Sequence, residues 1–229
     1  MGDDGFEKMV DDIGAVHAWT QRHLPQRPVF LLGHSMESFL TLRYLERGAR
    51  GLAGAILSGS GSQPLPLFRM GIWLAAQEMR RDPLAASPRL MRLTFAGFNR
   101  GLTPRRTAFD WLSRDPHAVD AFIQDPYCGA VMPAAFFYWF FRGLADTLDP
   151  RALRLIPHDL PMYLFSGARD PVGGRGLRGL RRLIAALRRH GVRDLTVRIY
   201  PGGRHEMLQE TNRDEVLRDL VAWLDRHLP

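Results

Sequence analysis

Four short apolar runs, spaced along the chain with helical periodicity between them, constrain this sequence more than any other feature. The runs are residues 28–32, 54–57, 162–165 and 195–200, and all but the last are nearly continuous in apolar residues. Strands covered on both faces read this way, because the crossover helices of a parallel sheet bury it from above and below. Ahead of the first run, Phe6, Met9, Val10, Ile13, Val16 and Trp19 fall on one helical stripe. After Ser35, the residues Met36, Phe39, Leu40, Leu42, Tyr44 and Leu45 repeat the pattern, and Gly48 supplies a C-terminal stop. The last helical stretch opens on Thr211 with Asp214 three residues on, a capping-box-like start, and is expected to bury Val216, Leu217, Leu220, Val221, Leu224 and Leu228. Strand–helix alternation of this kind predicts an α/β fold with a mostly parallel sheet flanked by helices.

A chain of 229 residues is long enough for one well-cored domain carrying an insertion. The insertion falls between the second and third runs, at residues 60–150, and is helical in pattern and rich in aromatics (FRMGIWLAAQEM, LMRLTFAGF, AFFYWFFRGL). It is expected to form a helical cap over a core made of residues 1–59 and 151–229. No repeat or low-complexity tract interrupts this organisation.

Composition narrows the function classes. No run of about 18 uncharged apolar residues exists to span a membrane. The opening MGDDGFEKMVDD is acidic, without the apolar centre of a secretory leader, and Phe6 stands where a myristoylation signal needs Ser or Thr. Cys128 is the single cysteine, so no internal disulfide forms and a cytoplasmic location is expected; it reads as a buried small hydrophobe. The net charge is +7, yet Lys8 is the only lysine among 31 basic residues, a bias of coding rather than of binding. In RGLRGLRRLIAALRRHGVRD (175–194), Leu177, Leu180, Leu183, Ile184 and Leu187 share one helical face and the arginines take the solvated one. With no aromatics interleaved to stack bases, nucleic acid is not an expected partner. Loose peripheral association with an anionic lipid surface suits that arginine face better.

The chemistry gathers at the ends of the apolar runs, where loops of a parallel sheet converge. Gly33-His34-Ser35-Met36 begins a G-x-S-x-G turn, with Glu37 at the closing position. Asp170 follows the third run in LFSGARDPVGG, and His205 follows the fourth in YPGGRHEML. A serine hydroxyl becomes a nucleophile only when a base takes its proton and a third group orients that base, and the order Ser, Asp, His supplies all three. Each residue also has a plain reading: Ser35 as a turn serine, Asp170 as an Asp-Pro turn opener, His205 as a loop histidine. The other histidines show no partner spacing, and no H-E-x-x-H or paired-cysteine pattern occurs, so no metal site and no cofactor are expected.

The stretches FLLGHSM (30–36), FSGARDPVG (165–173) and YPGGRHEMLQETNRDEV (200–216), with DPYCG (125–129) as a weaker echo, resemble an α/β-hydrolase of the monoacylglycerol-lipase, lysophospholipase and serine-aminopeptidase group. The resemblance implies Ser35 as nucleophile, His205 as general base, Asp170 as the acid that fixes the imidazole tautomer, and the Met36 N–H as one oxyanion donor. It implies that His34 shapes the pocket and that cap aromatics such as Phe137 and Trp139 contact an acyl chain.

Two departures accompany it. The family has a longer segment ahead of the nucleophile strand, containing early strands and a His-Gly loop that donates a second oxyanion N–H, and residues 1–28 match neither. The chain therefore resembles the C-terminal two-thirds of a hydrolase, a partial form of the fold. Glu37 replaces the last glycine of the elbow; a carboxylate there is favoured by the helix dipole by roughly 0.3–1 kcal/mol, yet opposes a developing oxyanion unless it points away. The function expected is hydrolysis of carboxylic esters of lipid-like small molecules, of monoacylglycerol or lysophospholipid type, through an acyl-enzyme, with peptidase specificity open. The alternative is a catalytically impaired, hydrolase-like binding protein or fragment. With the strand at 28–32 as an apolar sheet edge, a homodimer through that edge or poor solubility is expected.

Overall fold

The computed structural model describes residues 4–103, 105–147 and 149–228. In chain order the elements are α1 (Gly5–His23), β1 (Phe30–His34), α2 (Met36–Glu46), β2 (Gly54–Ser58), α3 (Leu65–Met79), α4 (Pro88–Phe95), α5 (Pro116–Gln124), α6 (Ala134–Thr147), α7 (Pro150–Leu153), β3 (Met162–Gly167), α8 (Arg178–Arg189), β4 (Leu195–Tyr200) and α9 (Arg213–Arg226). The four strands form one wholly parallel sheet in the order β1-β2-β3-β4. All strands run the same way, so the loops after Ser58, Gly167 and Tyr200 and the turn after His34 open at one end of the sheet.

Strand alternation divides the core in two. Ala55, Leu57, Met162 and Leu164 face Leu42 and Leu45 of α2 and Leu180, Leu183 and Leu187 of α8. Ile56, Tyr163 and Phe165 face the other way, onto Val216, Leu220 and Trp223 of α9. The arginine-rich stretch folds as expected: Leu177, Leu180, Leu183 and Leu187 are buried and Ile184 packs beside them. Between β2 and β3 the chain leaves the sheet and runs through α3 to α6, with α3 and α6 packed on each other. Among the described residues no helix is long and apolar enough to cross a membrane.

Local details differ from the sequence expectation, each for a physical reason. The first strand lies two residues later than expected, at Phe30–His34, because its pairing with Gly54–Ser58 continues until the Ser35 N–H donates to the Ser58 carbonyl at 2.9 Å. The last helix starts at Arg213, with Asn212 at its N-cap position; Thr211 instead directs its N–H to the Glu210 carboxylate. In that helix Trp223 takes the deep position, while Leu217 and Val221 are about half exposed, as is Leu228 beyond its end. Of the apolar stripe on α1 only Phe6 and Val10 are deeply buried, and Val16 and Trp19 face outward. Cys128 is partly exposed rather than buried. Gly48 does end α2, at φ +73° with its N–H on the Leu45 carbonyl.

Candidate active site

The turn between β1 and α2 carries Ser35 at φ 53°, ψ −118°, a conformation that a residue with a side chain adopts only when its surroundings impose it. Three contacts impose it. The Ser35 N–H is tied to Ser58 of β2, and its carbonyl accepts from the Ser38 N–H at 3.0 Å and the Ser38 hydroxyl at 2.6 Å. Gly33 completes the constraint, because a β-carbon there would lie 2.5 Å from Thr41 Oγ1 and closer still to the Glu37 carbonyl. The strand thus runs against the first turns of its own helix, and the serine side chain is presented at the sheet end. Met36 opens α2, where backbone N–H groups have no intrahelical acceptor. Glu37 is exposed.

Asp170 is 2 % exposed and its carboxylate is fully engaged. Oδ2 accepts from the Ser166 hydroxyl at 3.1 Å, and Oδ1 accepts from the Val172 N–H at 2.9 Å and faces Nδ1 of His205 at 3.0 Å. A carboxylate accepts only, so Nδ1 of His205 carries a proton, and in the neutral imidazole the lone pair lies on Nε2. His205 is 1 % exposed. Burial alone would lower its pKa, but the charge and hydrogen bond of Asp170, helped by Glu206 and Glu37, raise it above the ordinary imidazole value. Its ring lies 5.1 Å from Trp111 and 4.6 Å from His34, centroid to centroid. Gly59, at φ +61°, makes room for it: a β-carbon there would stand 2.7 Å from the ring's Cε1.

His34 turns its ring between two partners, with Nδ1 3.0 Å from the Ser58 hydroxyl and Nε2 3.0 Å from Oε1 of Glu206. Burial pushes the Glu206 carboxyl up, but the hydrogen bond and charge of His34, with His205, outweigh it and hold its pKa below the ordinary value. Glu206 is therefore an anion beside the two imidazoles.

A second buried carboxylate braces the loop. Glu210 is wholly buried and accepts from the N–H and Nε of Arg114 at 3.0 and 2.9 Å, and from the N–H groups of Arg204 and Thr211 at 2.9 Å each. The His205 N–H donates to the Trp111 carbonyl at 3.3 Å and the Glu206 N–H to that of Leu112 at 2.7 Å. The 111–114 segment of the insertion is thus hydrogen-bonded to the loop bearing His205.

A cavity of about 730 Å³ opens over this end of the sheet. Ser35, His205 and Glu206 line its floor, and its walls include Met91, Phe95, Phe109, Trp111 and Phe122. Ser35 and His205 therefore line one cavity, with Asp170 behind the imidazole. Phe137 and Trp139 do not join them. Phe137 is wholly buried with Ala75, Leu90 and Ala134, and Trp139 packs toward the Phe6–Phe39 cluster under the Arg142 guanidinium, 5.3 Å from its ring. Sequence reasoning missed Glu206, although it adjoins His205, and it missed Trp111, Gly59 and Ser58, which only the packing brings in. Among the described residues one group of three potential metal ligands gathers: His34, His205 and Glu206, whose ligand atoms all lie within 4.8 Å of one another.

Relatives agree with this architecture. The monoacylglycerol lipase of Mycolicibacterium smegmatis is 24 % identical over 226 residues, which cover 97 % of this chain and 71 % of that protein. The structure of a thermostable carboxyl esterase from Bacillus coagulans superposes with a TM-score of 0.87 at 24 % identity, covering 98 % of this chain and 73 % of the esterase. A lipase solved in an open form gives 0.82 at 27 % identity, with 99 % and 74 % covered. Residues 2–212 match the family described as serine aminopeptidase, S33, and the chain belongs to that family of α/β-hydrolases.

Proposed function

We propose that the chain is a serine hydrolase that cleaves carboxylic esters of lipid-like substrates through an acyl-enzyme. Ser35 is the nucleophile, His205 the base that takes its proton through Nε2, and Asp170 the acid that holds the Nδ1–H tautomer. The Met36 N–H receives the oxyanion. The acyl oxygen bond to the leaving alcohol breaks as His205 returns the proton to that alcohol, and water activated by the same imidazole then frees the acid. One observation carries the reading: a serine held at φ 53° opens into the same cavity as a buried histidine with a carboxylate 3.0 Å behind it. A largely aromatic and aliphatic wall suits an acyl chain, and relatives named as monoacylglycerol lipase, carboxyl esterase and lipase favour ester over peptide. Residues 60–150 act as the cap over the core of 1–59 and 151–229. The acyl wall falls to Phe95, Phe109, Trp111 and Phe122 rather than to Phe137 and Trp139, which sit inside the packing of the insertion.

The reading extends to where the protein works. The arginine face of α8 suits loose peripheral contact with anionic lipid, and Leu65, Leu67, Met70 and Trp73, about half exposed on α3, add apolar surface. A lone cysteine suits a reducing cytoplasm. β1 borders the sheet with Leu32 40 % exposed, and a homodimer pairs through this edge; a monomer in sedimentation at micromolar concentration refutes it.

Intact-mass labelling with a fluorophosphonate tests the central assignment. Labelling that needs both Ser35 and His205 supports it. A folded protein that takes no label is instead a hydrolase-like binding protein. Ester and aminoacyl substrates offered in parallel then separate esterase from peptidase.

A further inference from the structure

His34 comes from the end of β1, and His205 and Glu206 come from the loop after β4, yet each brings one ligand atom to within 4.8 Å of the other two. No other group of three His, Cys, Asp or Glu ligand atoms does so among the described residues. Each of the two imidazoles is already oriented from behind. Asp170 holds Nδ1 of His205, so the lone pair it presents is on Nε2. The Ser58 hydroxyl sits behind Nδ1 of His34, whose Nε2 is 3.0 Å from Glu206. A carboxylate or hydroxyl behind a ligating imidazole fixes its tautomer and raises its basicity, the arrangement that metal-binding histidines use.

The donor set selects the ion. Two imidazoles and one carboxylate suit a borderline divalent cation of the zinc class, not magnesium or calcium, which prefer oxygen ligands. Bonds of about 2.0–2.1 Å place tetrahedral ligands about 3.4 Å apart. His34 and Glu206, whose side chains are 24 % and 31 % exposed, have the freedom to close onto the fixed His205. A fourth ligand would come from the cavity side, where Ser35 also lies.

We propose that His34 Nε2, His205 Nε2 and the Glu206 carboxylate form a reversible inhibitory site for a zinc-class divalent cation. Binding occupies the lone pair that has to accept the Ser35 proton, and so it silences the nucleophile. The binding itself is independent of ester hydrolysis.

The test is a titration of the full chain, freed of metal by chelator, with Zn²⁺ followed by calorimetry and Co²⁺ followed by visible absorbance. The expected result is one equivalent bound, with the intense visible bands of four-coordinate Co²⁺. His34→Gln and Glu206→Gln each weaken binding at least about tenfold, while His117→Gln, on exposed α5, leaves it unchanged. Zn²⁺ also slows fluorophosphonate labelling of Ser35. Absence of binding at millimolar Zn²⁺, an octahedral Co²⁺ spectrum, or affinity unaltered in both variants overturns the site. The Co²⁺ spectrum needs no variant, so a variant that misfolds does not protect the proposal. Calorimetry reads the site whether or not Ser35 reacts, which separates failure of this inference from failure of the hydrolase reading.

Discussion

Nδ1 of His205 lies 3.0 Å from Oδ1 of Asp170, with both side chains almost wholly withdrawn from water at the ends of neighbouring strands. The same carboxylate oxygen accepts the Val172 N–H, so the loop's own backbone aims it at the imidazole.

Asp170→Asn removes the charge and replaces one acceptor oxygen with an NH2 donor while keeping the shape. Asparagine presents an amide that no longer enforces the Nδ1–H tautomer, and kcat is expected to fall about 10⁴-fold. Steady-state kinetics on a short-chain ester checks this. A fall of less than about tenfold would remove Asp170 from the machinery.

The raised pKa of His205 sets the pH profile. On the proposed mechanism the neutral imidazole is the active form, so kcat/KM is expected to rise with pH through an inflection above the ordinary imidazole value of 6.5. Glu37→Gln deletes one of the charges that raise it and moves the inflection downward. In stability the sign is the reverse of activity. A folded pKa above the unfolded one contributes stability at low pH, and that contribution is lost as pH climbs through the folded value.

Gly33→Ala puts a β-carbon 2.5 Å from Thr41 Oγ1 and against the Glu37 carbonyl. The backbone has to yield, which costs about 1–3 kcal/mol and misplaces Ser35. A lowered melting temperature together with slowed fluorophosphonate labelling is the expected pair; unchanged labelling would mean the elbow tolerates the move.

Glu46, on α2, is 2 % exposed and its pKa is pushed up to about 9, chiefly by burial, with Arg43 pulling it down and Glu7 and Asp149 pushing it up. An acid whose folded pKa lies above its unfolded one stabilises the fold when protonated. That contribution drains away as pH rises from the unfolded value toward about 9. Glu46→Gln, neutral at every pH, should therefore raise the melting temperature more under mildly alkaline than mildly acidic conditions. Equal shifts at both ends contradict the assignment.

Glu210→Ala strips the buried acceptor from Arg114, Arg204 and Thr211. Removing one member of a buried charged pair costs about 3–5 kcal/mol. Glu210→Gln, which keeps half the acceptors, should cost less in chemical denaturation, and a null effect of both would show the brace to be idle.

Strand and helix periods were legible because they are local: a nearly continuous apolar run of four or five residues reports a strand covered on both faces, and Leu180, Leu183 and Leu187 report a helix face. The turn chemistry was equally local. Gly33 and Ser35, Asp170 before Pro171, and His205 after two glycines each follow a strand, and all three loops open at the same end of the sheet.

What the sequence alone determined is therefore the strand–helix alternation of the core, the parallel sheet and the loops that carry Ser35, Asp170 and His205. Tertiary structure decided which side chains share those loops' space. Trp111, 94 residues before His205, becomes its neighbour only because the insertion folds back and its backbone hydrogen-bonds to that loop. His34 and Glu206 meet because β1 and β4 belong to one sheet and end on the same side. Phe137 and Trp139, aromatic and in the insertion, are taken up in packing α6. Hydrophobicity tells a residue to leave water, and nothing in it specifies whether the apolar neighbour will be the core or a ligand; only close packing of distant segments settles that.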